Sequence, residues 1–194
     1  MRIAVGISGA SGTIYGQRLV RRLVEAGCDV IVTMSPTLSK LFPAELGMPC
    51  DPLDPDLPAL FGAEVARKIH YKRPDDVAAN VASGSFLVDA YVVCPASTGL
   101  LGRVASGAST NLLERMCEVA LKEGRPLVLV PRETPLSIIV LESMLKLARA
   151  GATILPAAPG WYHRPQSLDD LVDFVVQKIL DRIGVGGDIV RRWS

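Results

Sequence analysis

Apolar residues fall into short runs that alternate with helically spaced segments. Residues 2–8 (RIAVGIS) are an apolar run leading into Gly9-Ala10-Ser11-Gly12, and helical spacing then holds from 15 to 26 and stops at Gly27. This order predicts a strand, a glycine turn and a helix. Further apolar runs lie at 30–34, 90–93, 127–130 and 153–155, with helical patterns or long loops between them. Strands separated in this way predict a mostly parallel sheet with helices on both faces. The clearest helix is the last. Leu168, Leu171, Val172, Val175, Val176, Ile179, Leu180 and Ile183 repeat at the spacing of one helical face, and Ser167 with Asp170 is placed to cap its start. Asn111 is placed to cap a helix running to Glu123, and Pro135 to open another that ends near Gly151. The stretch 43–58 holds five prolines and reads as an irregular excursion or a lid.

Composition narrows the classes of function. The 194 residues, 49% hydrophobic and 21% charged, suit one compact domain over 1–194 with a C-terminal tail from 184. Twenty-one basic residues against 20 acidic ones leave a charge of +1, without the basic excess of a nucleic-acid or anionic-membrane binder. No apolar run approaches the ~18 residues of a membrane span. Four cysteines, at 28, 50, 94 and 117, form no CxxC pair and follow no secretory leader, which predicts a reduced, cytoplasmic protein with cysteines as small core residues. The two histidines, His70 and His163, have no metal-ligand spacing, so no protein-held metal is expected.

Four segments carry candidate chemistry. A strand feeding a glycine turn and a helix start presents N–H groups and a positive dipole end to an anion, naturally a phosphate, although such a turn also exists simply to pack helix on strand. The full G-x-G-x-x-G is missing because Ser8 replaces one glycine, and the second run ends in Met34-Ser35-Pro36 without a carboxylate. A dinucleotide is therefore disfavoured, and a mononucleotide whose ribityl or phosphate group meets Ser11 and Ser35 fits better. The segment 93–111 follows a buried strand, where ligands bind in parallel sheets. Ser97 and Thr98 there suit a phosphate or a flavin ring, or else turn chemistry and a helix cap. Arg132 and Glu133 stand at the end of another buried strand, either as an anion contact and a proton carrier or as a solvated ion pair. Trp161, Tyr162, His163 and Arg164 arrive at the same edge as an anionic-organic pocket or as loop packing, with His163 the more structural of them.

Over nearly its whole length the chain resembles the UbiX/Pad-type flavin prenyltransferases. The resemblance rests on GISGASGTIYG, on MSP with a glutamate ten residues after Ser35, and on ASGSF, CPASTG, LKEGRPLVLVPRETPLS and GATILPAAPGWYHRPQS. It implies a Rossmann-like three-layer sandwich with strand order 3-2-1-4-5-6. It also implies a homo-oligomer, a dodecamer, that transfers a dimethylallyl group from dimethylallyl monophosphate to N5 and C6 of reduced FMN. The product would serve UbiD-type decarboxylases, among them those of ubiquinone biosynthesis, and no metal is required. By position, the resemblance assigns Gly9, Ala10, Ser11, Ser35, Ser97, Thr98, Gly99, Leu100 and Arg132 to the flavin. It assigns Arg115, Lys122, Tyr162 and Lys178 to the prenyl phosphate. Glu45 and Glu133 are its acidic residues, and Trp193 its C-terminal tryptophan. Lys178 stands where the family usually has arginine, which keeps the charge and loses the bidentate fork. Two other readings are a flavin-dependent cysteine decarboxylase of the same fold, with His70 as its histidine, and a non-catalytic FMN carrier.

Overall fold

In the computed structural model, which describes residues 1–190, six strands form one sheet in the order β3-β2-β1-β4-β5-β6, with every pairing parallel. The strands are β1 (Arg2–Ile7), β2 (Asp29–Met34), β3 (Ile69–Tyr71), β4 (Ala90–Ala96), β5 (Leu127–Pro131) and β6 (Thr153–Ile154). Side chains alternate across the sheet, so Ile3, Val5 and Ile7 enter one core while Ala4 enters the other. The first core is closed by α1 (Thr13–Glu25), α2 (Leu38–Leu46), α3 (Leu57–Phe61) and α8 (Leu168–Ile183), with Leu19, Phe42, Leu60 and Ile179 buried. A short α4 (Ala63–Ala66) leads into β3. The second core is closed by α5 (Thr98–Ser106), α6 (Leu112–Lys122) and α7 (Ile138–Arg149), through Leu101, Met116 and Leu147. Strands buried on both faces explain why the runs read as continuous apolar stretches.

The structure revises several boundaries. β3 is three residues long, too short to stand out as an apolar run. The proline-rich stretch is less irregular than expected, because Pro43 lies inside α2 and Pro58 opens α3 behind the cap of Asp56. The segment 93–111 is largely regular: β4 continues to Ala96 and α5 follows at once, its cap Ser97 accepting from Leu100 N–H. Pro135 does not open α7; Ser137 does, accepting from Val140 N–H, which leaves 132–136 as a loop. Asn111 caps α6 as expected, and Ser167 with Asp170 forms a reciprocal capping box on α8.

Among the described residues no helix is long and apolar enough to cross a membrane, and no group of acidic, His and Cys side chains is placed to hold a metal. Chain order reverses between β1 and β4, so a crevice opens beyond their carboxyl ends, the usual ligand position in an open parallel sheet.

Candidate functional site

The crevice between β1 and β4 is stitched by Ser8, the residue that replaces a glycine. Its N–H donates to Pro95 C=O at 3.1 Å, its hydroxyl donates to the same oxygen at 2.8 Å, and it accepts from Ser97 N–H at 2.7 Å. Three bonds through one small buried residue, two of them by its side chain, fix the glycine turn against the start of α5. Gly9 follows because nothing larger fits: a Cβ there would lie 2.3 Å from Thr37 Oγ1. Thr37 in turn shares a 2.5 Å hydroxyl bond with Ser35, so the ends of β1 and β2 meet. From the other side Arg132 reaches back across the crevice, its Nε donating to Ser11 C=O at 3.0 Å. Gly9, Ala10, Ser11, Ser35, Ser97 to Leu100 and Arg132 are thus gathered along one rim.

Glu45 changes the reading of the glycine turn. Its carboxylate accepts from Gly12 N–H at 3.0 Å, from Thr13 N–H at 2.9 Å and from the Thr13 hydroxyl at 2.8 Å. The anion at the start of α1 is therefore the protein's own carboxylate, rather than the phosphate expected there. Burial pushes the Glu45 carboxyl up, but hydrogen bonds from Thr13, Ser11 and Gly12 outweigh this and hold it below the usual range. A depressed folded-state pKa contributes stability above the ordinary carboxylate pKa and loses it as pH falls through the folded value. Glu45→Gln should accordingly lower the thermal midpoint at neutral pH, with the gap to wild type closing on acidification. Unfolding scans from neutral to acid pH check this, and a gap independent of pH would contradict it.

Arg132 and Glu133 are not an ion pair. Arg132 turns to Ser11, while Glu133 is exposed and accepts from Thr134 N–H at 2.9 Å. Arg115 and Lys122 share the outer face of α6 as their spacing predicts, Arg115 bonded to Glu118 and Lys122 to Glu123. That face is separate from the rim. Lys122 precedes β5 and Arg132 follows it, so the 5 residues of β5, at about 3.3 Å each, put roughly 16 Å of strand between them. Tyr162 and Lys178 form a third group beyond β6, packed on the Phe174 ring. His163 is stacked on the same ring, with both ring nitrogens buried. Trp161 is 68% exposed, so the pocket expected of the aromatic segment does not include it. Trp193 lies outside the described residues.

The flavoprotein family profile matches residues 1–180. A flavin prenyltransferase UbiX of Pseudomonas aeruginosa is 47% identical, covering 100% of this chain and 94% of its own. The chain belongs to the UbiX-type flavin prenyltransferases. Among solved structures, a dodecameric FMN-dependent UbiX-like decarboxylase from Escherichia coli O157:H7 superposes with a TM-score of 0.88 at 37% identity, covering 100% of both chains. AnUbiX (PadA1), in complex with FMN and dimethylallyl pyrophosphate, superposes with a TM-score of 0.87 at 35% identity, covering 100% of this chain and 97% of that one. For a flavin prenyltransferase, Ser8, Thr13 and Thr37 are the site-building residues that sequence reasoning missed. Only the fold reveals which neighbour each of them bonds.

Proposed function

We propose that this chain transfers the dimethylallyl group of dimethylallyl monophosphate to N5 and C6 of reduced FMN, and that a UbiD-type decarboxylase receives the product. The observation that carries this reading is Arg132 bonded across the switch-point crevice to Ser11 C=O. It closes one rim from the residues that the family uses for its flavin. The rim suits a flavin mononucleotide in chemistry, with hydroxyls at Ser35, Thr37 and Ser97 for polar atoms and a planar guanidinium for the ring edge. Bound there, reduced flavin supplies the nucleophilic nitrogen and carbon.

The chain's own residues handle the leaving group. The C–O bond of the donor breaks with its electron pair going to phosphate, and fixed cations at Arg115, Lys122 and Lys178 with the Tyr162 hydroxyl favour that departure. Attachment at N5 replaces the C–O bond and releases the N5 proton to the phosphate; closure on C6 adds a proton to the prenyl double bond as C6 loses one, and in this reading Glu133, next to Arg132 in the chain, moves these protons. Because Lys122 lies a strand's length from Arg132, a second copy of the chain must bring its α6 face to the rim. An oligomer, in our reading a dodecamer, supplies this. The exposed Leu136, Ile138, Ile139, Leu141 and Leu145 on and before α7 give a neighbouring copy an apolar surface to cover beside the 132–136 loop. Four free cysteines agree with the reducing cytoplasm as its setting.

Anaerobic incubation of the protein with reduced FMN and dimethylallyl monophosphate, followed by mass spectrometry of the released flavin, tests the reading. A gain of one C5H8 unit with release of inorganic phosphate is expected. Unchanged FMN in a protein that binds flavin would overturn it, and parallel runs with the diphosphate decide the donor.

A further inference from the structure

We propose that Phe174 is the positioning residue of the prenyl-phosphate site, the ring among the described residues on which both Tyr162 and Lys178 pack. This rests on the prenyltransferase reading and adds to it a residue that touches neither flavin nor reacting atoms.

Tyr162 and Lys178 come from different segments, a loop after β6 and the middle of α8, and both end at Phe174. The Tyr162 ring meets it edge-on, with centroids 5.6 Å apart and planes at 76°, while Lys178 Nζ lies 5.6 Å from its centroid. The second contact follows from sequence spacing, since residues four apart on a helix are neighbours. The first does not. It requires the loop to fold back on α8, and two features make that possible. His163 stacks on Phe174 at 5.2 Å and 11°, and also meets Tyr162 edge-on at 5.9 Å, so three rings brace one another. Both nitrogens of His163 are buried with no hydrogen-bond partner among the described residues, and its ring meets this cluster through its π face and edge. Gly160 supplies the room: a Cβ there would stand 2.9 Å from Phe174 Cζ and 3.0 Å from Tyr162 Cε1.

The arrangement has a physical purpose. Tyrosine on a loop and lysine on a flexible stem both lose much conformational freedom when they clamp an anion. Phe174 restricts both beforehand, the tyrosine by ring contact and the ammonium by its position over the π face. A cavity of about 520 Å³ opens beside them, lined by Leu155, Pro156, Phe174, Lys178 and Arg182. Phe174 is only partly buried and packs on the margin of the core, so it can be replaced without emptying the interior.

The test is steady-state prenyl transfer by Phe174→Leu, Phe174→Tyr and Gly160→Ala beside wild type, with FMN binding and the thermal midpoint recorded for each. Phe174→Leu should raise KM for dimethylallyl monophosphate about tenfold, with kcat lowered less than about threefold and FMN affinity unchanged. Phe174→Tyr, which keeps the ring, should return KM to within about twofold of wild type. Gly160→Ala should raise KM in the same sense by pushing the rings apart, and it decides the matter if Phe174→Leu does not fold. An unchanged KM in a folded, active Phe174→Leu enzyme overturns the role of Phe174 and leaves the functional reading standing. Absence of prenyl transfer by wild type strikes the functional reading itself.

Discussion

Lys122→Ala is expected to lower prenyl transfer by about 10²- to 10³-fold while FMN still binds, the loss typical of removing one charge-stabilising group from a reacting anion. The reasoning starts from the leaving group. In the proposed reaction side-chain cations favour phosphate departure, and Lys122 is one of the two on α6, with Arg115. Flavin binding should survive because the residues assigned to the flavin, held together by Arg132 on Ser11, do not include Lys122. The same separation yields a sharper experiment. Arg132→Ala should fail in the flavin half of the site and Lys122→Ala in the phosphate half. If two copies build each site, dissociating and remixing the two inactive proteins in equal amounts restores both residues to about a quarter of the sites. Recovery of activity to about that level is expected. Mixed oligomers that stay inactive would mean that one chain supplies both halves, against the geometry of β5.

Replacing Glu114 with Ala should cost about 2–3 kcal/mol, at the lower end for breaking a buried charge pair. The Glu114 side chain is fully buried, and its carboxylate is bonded by Arg103 Nε at 2.5 Å, Thr110 N–H at 2.7 Å and the Thr110 hydroxyl at 2.8 Å. Burial pushes this carboxyl up, and bonds from Thr110 and Arg103 more than reverse it, so it stays ionised. Removing it leaves a cavity at the join of α5 and α6 and takes the shared acceptor from Arg103 and from Thr110, which is itself exposed. Arg103 reaches water, which keeps the loss below that of a fully enclosed pair. For a chain of this size the thermal midpoint should fall by roughly 5–10 °C, measured by calorimetry at neutral pH. A fall of under about 2 °C would show that solvent replaces the lost bonds. Because Glu114 precedes Arg115, the variant should also loosen the start of the α6 face that carries Arg115 and Lys122.

Glu114 and Ser8 show how differently the two halves of the problem read. An acidic residue one turn into an amphipathic helix looks like an ordinary favourable charge near a positive helix end. Its burial depends on the loop from 107 to 111 folding over it. Ser8 looks like a lost glycine, and only the pairing of β1 with β4 turns it into the stitch between their ends.

The sequence by itself determined the class of fold, the positions of most strands and the start of α8. These follow from local periodicity and from caps that reach three residues along the chain. Its motifs also determined the family. It left the three-residue β3 unmarked, offered the start of α5 only as a possible helix cap because nine residues with two glycines give an apolar side of just Leu100, Leu101 and Val104, and misplaced the start of α7 by trusting Pro135 over Ser137. The tertiary structure alone decided which candidate residues meet. Arg132 on Ser11, Glu45 on the start of α1 and Tyr162 on Phe174 join residues 121, 32 and 12 apart in sequence. Such contacts are fixed by strand order and by loops folding back on helices, which no local pattern encodes. It likewise decided that Lys122 and Arg132 stand apart, because the parallel strand between them must run the full depth of the sheet.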